Sequence, residues 1–215
     1  MNCALNQQFY FKTFLITLLS FLLLFSISCG KNPAEPEGGE TSEDLTATIP
    51  TATGDPATDL TDAYYRGTLS LTSHSINATS GITKEELENS ILSSSNMAFY
   101  LNITNNNLTW ADYHISEFEV VTDEQVQQSL ESRVPVQLLK SGSKYSVSEV
   151  ADYSSDDGYI SKLYIEFTIS GDNILITYIY GVSADYVVDG VNYKYSYKTT
   201  YEGTLTNYTP TSSGS

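Results

Sequence analysis

The sequence predicts an all-β body, an antiparallel meander of about eight strands closed into a barrel or, alternatively, folded as a β-sandwich, with two short helices set into it. Three observations carry the expectation. Apolar and polar residues alternate at period two, as in Met97, Phe99, Leu101 and Ile103 against Ala98, Tyr100, Asn102 and Thr104, the pattern of strands with one face buried. The links between such segments are short and polar, which favours hairpins over the crossovers of a dozen or more residues that parallel pairing needs. A five-residue motif also recurs near the two ends of the body, Tyr65-Arg66-Gly67-Thr68-Leu69 and Tyr201-Glu202-Gly203-Thr204-Leu205.

In chain order, the first strand is expected near 64–73. Thr83-Lys84-Glu85-Glu86 then has capping-box spacing ahead of Leu87, Ile91 and Leu92, predicting a short helix. The strand at 97–103 turns through Asn105-Asn106-Asn107 into one at 108–121, and Thr122-Asp123-Glu124-Gln125 repeats the capping pattern before Val126 and Leu130. Strands near 133–140 and 144–152 flank Ser141-Gly142-Ser143. Leu163, Ile165, Phe167 and Ile169 alternate through the next strand, and the last two, at 173–182 and 190–206, are set off by Gly171-Asp172-Asn173 and Asp189-Gly190. The repeated motif would make first and last strands neighbours, because closure removes the exposed edges of a meander. Gly67 and Gly203 would then ease the seam, and Arg66 and Glu202 could pair across it. In outline the body resembles lipocalin-like barrels, without a Gly-x-Trp opening motif.

Upstream of the body the chain changes character. Residues 13–27 are an uncharged apolar run behind Lys12, the length of a signal-peptide core and short of the roughly 20 residues a membrane-spanning helix needs. Small residues then precede Cys29, followed by Gly30-Lys31-Asn32-Pro33 and a stretch rich in Pro, Gly and acid. This arrangement resembles the bacterial lipoprotein signal. The resemblance implies that Cys29 becomes the first residue of the mature chain and receives a diacylglycerol thioether and an N-acyl chain. It also implies anchoring in the outer membrane, because Gly30 stands where inner-membrane retention often has Asp; the body could face the periplasm or the surface. The expected organisation is a signal peptide at 1–28, lipidated Cys29 and a disordered tether at 29–62, the all-β domain at 63–209 and a disordered tail at 210–215.

Composition narrows the partners. With 26 Asp plus Glu against 10 Lys plus Arg the chain of 215 residues carries −16, and −17 once Lys12 leaves with the signal. A surface so acidic repels phosphate backbones, and no basic patch overrides it, so nucleic acid is set aside. Charged residues are 17% and hydrophobic residues 40%, enough apolar content for a packed core. Loss of Cys3 with the signal and acylation of Cys29 would leave no thiol for a disulfide, a nucleophile or a metal site.

Catalytic motifs are sparse. Asp112 and His114 share a face at period two and could form an acid–base pair, yet no Gly-x-Ser-x-Gly elbow or His-Glu-x-x-His accompanies them, so they read as a solvent-facing polar strand face. Asp152, Asp156 and Asp157 cluster before Gly158 but miss the spacing of an EF-hand loop, so they read as an acidic turn. No cofactor and no metal is expected.

Tyrosine supplies the strongest bias. Twelve of the 17 fall between Tyr145 and Tyr208, and Tyr193, Tyr195 and Tyr197 share one face of a strand. Rings that bury apolar area while their hydroxyls seek polar partners suit a semi-polar lining. Tyr193, Tyr195, Tyr197, Tyr178 and Tyr180 are therefore the candidate ligand-binding residues; ordinary cross-strand packing of aromatic residues is the structural alternative. The functional expectation is a membrane-anchored, non-enzymatic lipoprotein whose body binds a small amphipathic ligand or an envelope component. The alternative is a surface adhesion or interaction module presenting an outward Tyr-rich sheet face over a filled core. A hydrolase using His114 is the third reading.

Overall fold

A computed structural model describes residues 44–114, 121–154 and 158–210. Ten strands form one antiparallel sheet: β1 (Asp55–Pro56), β2 (Ala63–Ser80), β3 (Asn96–Thr104), β4 (Asn107–His114), β5 (Val136–Gln137), β6 (Leu139–Ser141), β7 (Lys144–Tyr153), β8 (Tyr159–Ser170), β9 (Asn173–Val188) and β10 (Val191–Tyr208). The order across the sheet is β1-β6-β7-β8-β9-β10-β2-β3-β4-β5, a meander in which the last strand returns to pair with the first long one. One continuous sheet excludes the sandwich alternative.

Closure on the far side is made by the chain itself. β5 ends one edge of the sheet on β4, and β6 pairs with β7 at the other, yet only Leu138 separates them in sequence. Leu138 is fully buried; its amide donates to the Asn106 carbonyl at 3.1 Å and its carbonyl accepts from the Ala57 amide at 2.8 Å. The single strand expected at 133–140 is thus two short pieces that hand the chain from one edge to the other, leaving a nearly closed barrel.

The repeated motif explains the β2–β10 seam, though not by the expected charge pair. Antiparallel register sets Thr68 opposite Thr204, with Gly67 facing Leu205 and Leu69 facing Gly203. The two copies are therefore related by a local two-fold. A Cβ on Gly67 would lie 2.5 Å from the Thr204 carbonyl oxygen and 3.0 Å from Leu205 Cδ2; one on Gly203 would meet the Thr68 carbonyl oxygen at 2.5 Å and Leu69 Cδ2 at 2.8 Å. Each glycine makes room for the other copy's leucine, and both leucines are fully buried. The same register separates Arg66, opposite Thr206, from Glu202, opposite Ser70. They stand four residue steps apart along the strands, about 13 Å. Arg66 instead stands 3.9 Å from Asp123 and over the Tyr208 ring.

Inside, Leu69, Phe99, Leu101, Ile165, Phe167, Ile174 and Leu205 form a buried apolar core with Met97, Trp110 and Leu138. Each such side chain contributes about 1.5–3 kcal/mol on burial. Both expected helices form, α1 (Lys84–Ser93) behind Thr83 and α2 (Asp123–Ser132) behind Thr122, each with a complete capping box. α2 covers the outer face of β2–β4 through Val126 and Leu130 against Ala111, Tyr64, Tyr100 and Tyr113. α1 packs against β2 beyond the point where β3 ends.

Residues 44–62, expected as part of the tether, are instead a strap on the barrel. A 3-10 turn at Leu45–Thr48 lies on β8, β9 and β10, with the Leu45 amide donating to Ser196 Oγ and Lys198 Nζ donating to Thr48 Oγ1. Ile49 is buried over Gly181, the Ala52 amide donates to Ser148 Oγ, and β1 pairs with β6 before Ala57 enters the core. Too few apolar residues stand in this stretch for periodicity to reveal it; its contacts are mostly hydrogen bonds to residues distant in sequence, such as Ser196, Ser148, Leu138 and Asn106. Cys29, the signal segment, the rest of the expected tether and residues 211–215 lie outside the described residues.

Candidate functional site

The two ends of the barrel interior differ in chemistry. At the end where the strap enters the core through Ala57, that residue packs with Ile103, Leu108, Ile174 and Leu205. Toward the other end β2, β9 and β10 run on beyond β3 and β4, and the inner face changes from aliphatic to tyrosine.

Register fixes which tyrosines share that face. Tyr178 stands opposite Tyr201, Tyr180 opposite Thr199, Val182 opposite Tyr197, Ala184 opposite Tyr195 and Tyr186 opposite Tyr193. Because Tyr178, Tyr201, Ile176 and Leu205 on the same parity are buried in the core, all of these point inward. Tyr193, Tyr195 and Tyr197 are therefore not an exposed sheet face, and the core below them is filled. Rings meet edge to face from the core outward: Phe99 with Tyr178 at 5.2 Å, Tyr178 with Tyr201 at 6.1 Å and Tyr180 with Tyr197 at 6.2 Å. Tyr186 contacts Tyr195 at 6.5 Å and stacks on Tyr193 at 5.3 Å.

The Tyr201 hydroxyl donates to the Ser94 carbonyl behind α1 at 3.1 Å. Burial pushes Tyr178 and Tyr197 well above the usual phenol range and raises Tyr195 too. Tyr180 and Tyr201 are pushed up to about 12, by burial first and then by the negative charge of Asp112. At neutral pH all five present neutral hydroxyls.

Asp112 and His114 lie on the inner parity of β4, following the buried Leu108 and Trp110. The solvent-facing reading holds for His114, exposed where the strand ends, and not for Asp112, which is half-buried. His74 is engaged elsewhere, its Nε2 3.1 Å from Glu88 of α1. Two residues that sequence patterning passed over complete the wall. Arg133, just after α2, lies over Trp110 at 4.0 Å with its Nη1 3.8 Å from Glu149, an inward residue of β7. It spans the β4–β7 gap above Leu138. Parity with Val147 and Leu163 was the signal for Glu149; nothing local marked Arg133.

Other candidates thin out. Asp152 is exposed and caps its own turn, accepting from the Ser154 amide and hydroxyl, and no group of three metal-ligating side chains occurs among the described residues. Two depressions of about 570 and 430 Å³ lie on the outer face, one beside Arg66 and Tyr208 and one beside Glu166 and Glu202; both are open to solvent. No helix among the described residues is long and apolar enough to cross a membrane.

What the fold and this end of it define is a nearly closed antiparallel barrel with a tyrosine-lined mouth. Comparison with protein-family models, curated proteins and solved structures finds no match to this chain.

Proposed function

We propose that this chain is a lipid-anchored envelope protein, held in the outer membrane through Cys29, whose barrel binds a small amphipathic molecule at its tyrosine-rich end without chemical conversion. The observation that carries the binding reading is the convergence of the half-buried Tyr180, Tyr195 and Tyr197 on one inner face above a core that ends in Tyr178 and Tyr201. An aliphatic lining would close this end with fewer buried hydroxyls to satisfy. Rings with polar tips instead offer apolar walls and hydrogen bonds together, the mixture that ligand pockets use for orientation. Because the core is filled up to Phe99 and Tyr178, the ligand would sit in the mouth rather than deep in the barrel. The anchor rests on Cys29 and the apolar run before it. From Cys29 to the start of the strap at Asp44 is at most ~50 Å of extended chain, at about 3.3 Å per residue, so the barrel would stay near the bilayer.

The interaction-module reading retains one feature, the β9–β10 hairpin tip, where Val187 and Val191 are exposed beside the stacked Tyr186 and Tyr193. Native mass spectrometry of the full-length protein released from envelopes in mild detergent separates the two. A retained small-molecule mass that is lost in Tyr180→Ala supports the carrier; an empty barrel that co-purifies stoichiometrically with an envelope protein replaces it. For the anchor, Cys29→Ala should abolish incorporation of labelled fatty acid, and unchanged labelling would overturn it.

A further inference from the structure

We propose that the β9–β10 hairpin tip is a membrane-docking surface, seated on the zwitterionic bilayer to which Cys29 tethers the chain, so that the tyrosine-lined end of the barrel faces lipid. The proposal rests on the lipid-anchor reading above and adds to it a contact made by the folded body.

The tip is a ribbon that outruns its neighbours. β8 pairs with β9 only as far as Tyr159 opposite Ala184, and β2 with β10 only as far as Ser80 opposite Lys194. Among the described residues, those from Tyr186 to Tyr193 therefore have ladder partners only in each other, Tyr193 with Tyr186, Asn192 with Val187 and Val191 with Val188. The base is braced: the Asp185 amide donates to the Gly158 carbonyl at 2.7 Å, and a Cβ on Gly81 would lie 2.6 Å from the Asn192 carbonyl oxygen. Val187 and Val191 are 66% and 46% exposed, on opposite faces of the ribbon, with the stacked rings of Tyr186 and Tyr193 just behind them. Aliphatic side chains ahead of tyrosines is the order in which a segment meets a bilayer, apolar groups toward the acyl chains and amphipathic rings at the head groups. Asp185 and Lys194 pair at 2.9 Å, and Asp189 is exposed at the turn. A hydrated carboxylate there holds the ribbon at head-group depth and is repelled by an anionic surface.

The strap decides which end of the barrel the bilayer meets. It begins beside β10, where the Leu45 amide bonds Ser196, and its later contacts lead away from the tip: Thr48 with Lys198, Ile49 with Gly181, then β1 with β6. Ser196 is five residue steps from Val191, about 17 Å of strand, and twelve from Tyr208, about 40 Å. The chain that leads back to Cys29, at most ~50 Å when extended, thus joins the barrel toward the tip and away from the β8–β9 turn at Gly171-Asp172. Near that far turn the exposed Leu175 borders Glu166 and Glu202, so it presents no comparable uncharged tip. Tether and apolar tip therefore mark the same end of the molecule.

The test uses the acylated protein, purified from membranes and reconstituted into vesicles of phosphatidylcholine and phosphatidylethanolamine. With Cys3 removed and Cys29 acylated, an introduced cysteine is the single free thiol, and it carries a nitroxide at Asn192→Cys on the ribbon or at Asp172→Cys on the far turn. Power saturation then compares collision with oxygen, which concentrates in lipid, and with a nickel chelate, which stays in water. The oxygen-to-nickel ratio should be severalfold higher at Asn192→Cys than at Asp172→Cys. Adding Val187→Asp and Val191→Asp, both at exposed positions, should bring it down to the Asp172→Cys level. Equal ratios, a higher ratio at Asp172→Cys, or a high ratio that survives the two aspartates overturns the docking proposal. Spin–spin broadening at Asn192→Cys would mean that a second copy covers the ribbon and overturns it too. If the mass of the purified protein shows no acyl chains on Cys29, the anchor reading falls and the docking with it; acyl chains present with a water-exposed ribbon overturn the docking alone.

Discussion

Arg133 rests on Trp110, its guanidinium carbon 4.0 Å from the ring centre, while the same side chain reaches to within 3.8 Å of Glu149. β4 and β7 share no ladder, so this stack is what joins their inner faces above Leu138. Burial raises the Glu149 carboxyl above its ordinary value of 4.5, and the Arg133 charge opposes that rise.

Arg133→Met should therefore lower stability in a pH-dependent way. Loss of the stack costs about 1 kcal/mol at pH 7, roughly 3 °C in Tm for a domain of this size. With Arg133 gone the Glu149 pKa climbs further. The folded state then holds a proton that the unfolded chain has released, so stability falls as pH rises through that window and recovers as pH falls toward 4.5. Urea titrations at pH 7 and pH 4.5 should show the deficit shrinking at the lower value; a constant deficit would mean that Arg133 acts by packing alone.

The tyrosine cluster predicts a cooperative alkaline transition. Tyr178, Tyr180, Tyr195, Tyr197 and Tyr201 all have raised pKa values in the fold, with Tyr180 and Tyr201 at about 12. Above pH 10 the unfolded chain releases these protons more readily than the folded one. The stabilisation present below pH 10 is therefore lost as pH rises toward 12. Absorbance at 295 nm should show the exposed tyrosines ionising first, then a steep step coincident with loss of far-ultraviolet dichroism. Smooth ionisation of all tyrosines with the dichroism intact would show that the mouth is open to hydroxide.

The strands, both capping boxes and the shared face of the tyrosines were legible because each depends on local spacing: period two for Tyr193, Tyr195 and Tyr197, and a three-residue interval for Thr83 with Glu86 and Thr122 with Gln125; whether that tyrosine face points inward is set by pairing with β9 and was open in the sequence. The adjacency of β2 and β10 was legible in the motif copies, but the register was not. Motif likeness suggests Arg66 beside Glu202, whereas antiparallel pairing reverses one copy and sets glycine against leucine. The strap and the Arg133 bridge were hidden for a different reason. They depend on contacts such as Leu45 with Ser196, 151 residues apart, and on one arginine reaching across a gap that exists only once the barrel has closed.

Leu138 makes the closure testable. Its side chain is fully buried in the main core, and both of its backbone groups bond to separate elements. Leu138→Ala should cost about 2–5 kcal/mol, the range for removing a buried leucine side chain. Val134→Ala, at an exposed position four residues earlier, should change stability by less than about 0.5 kcal/mol. Equal small effects in equilibrium urea unfolding would show that the barrel stands without this hand-over between its edges.

The strap yields the last prediction. Ile49 is buried with its Cδ1 against Gly181, where any side chain would also collide with the Tyr197 carbonyl oxygen. Gly181 is thus the slot that receives the strap on the outer face, directly behind the tyrosines of the mouth. Ile49→Arg places a charge in that slot beside the Lys198 ammonium, which stands opposite Gly181 and bonds Thr48, a cost of several kcal/mol if the residue stays buried, so the strap should detach instead. Limited proteolysis should then cleave within residues 44–54 of the variant and leave the wild type intact there, while Trp110 fluorescence stays unchanged because the main core is on the opposite face of the wall. A shift in Trp110 emission together with general proteolysis would mean that the strap holds the barrel shut as well as lying on it.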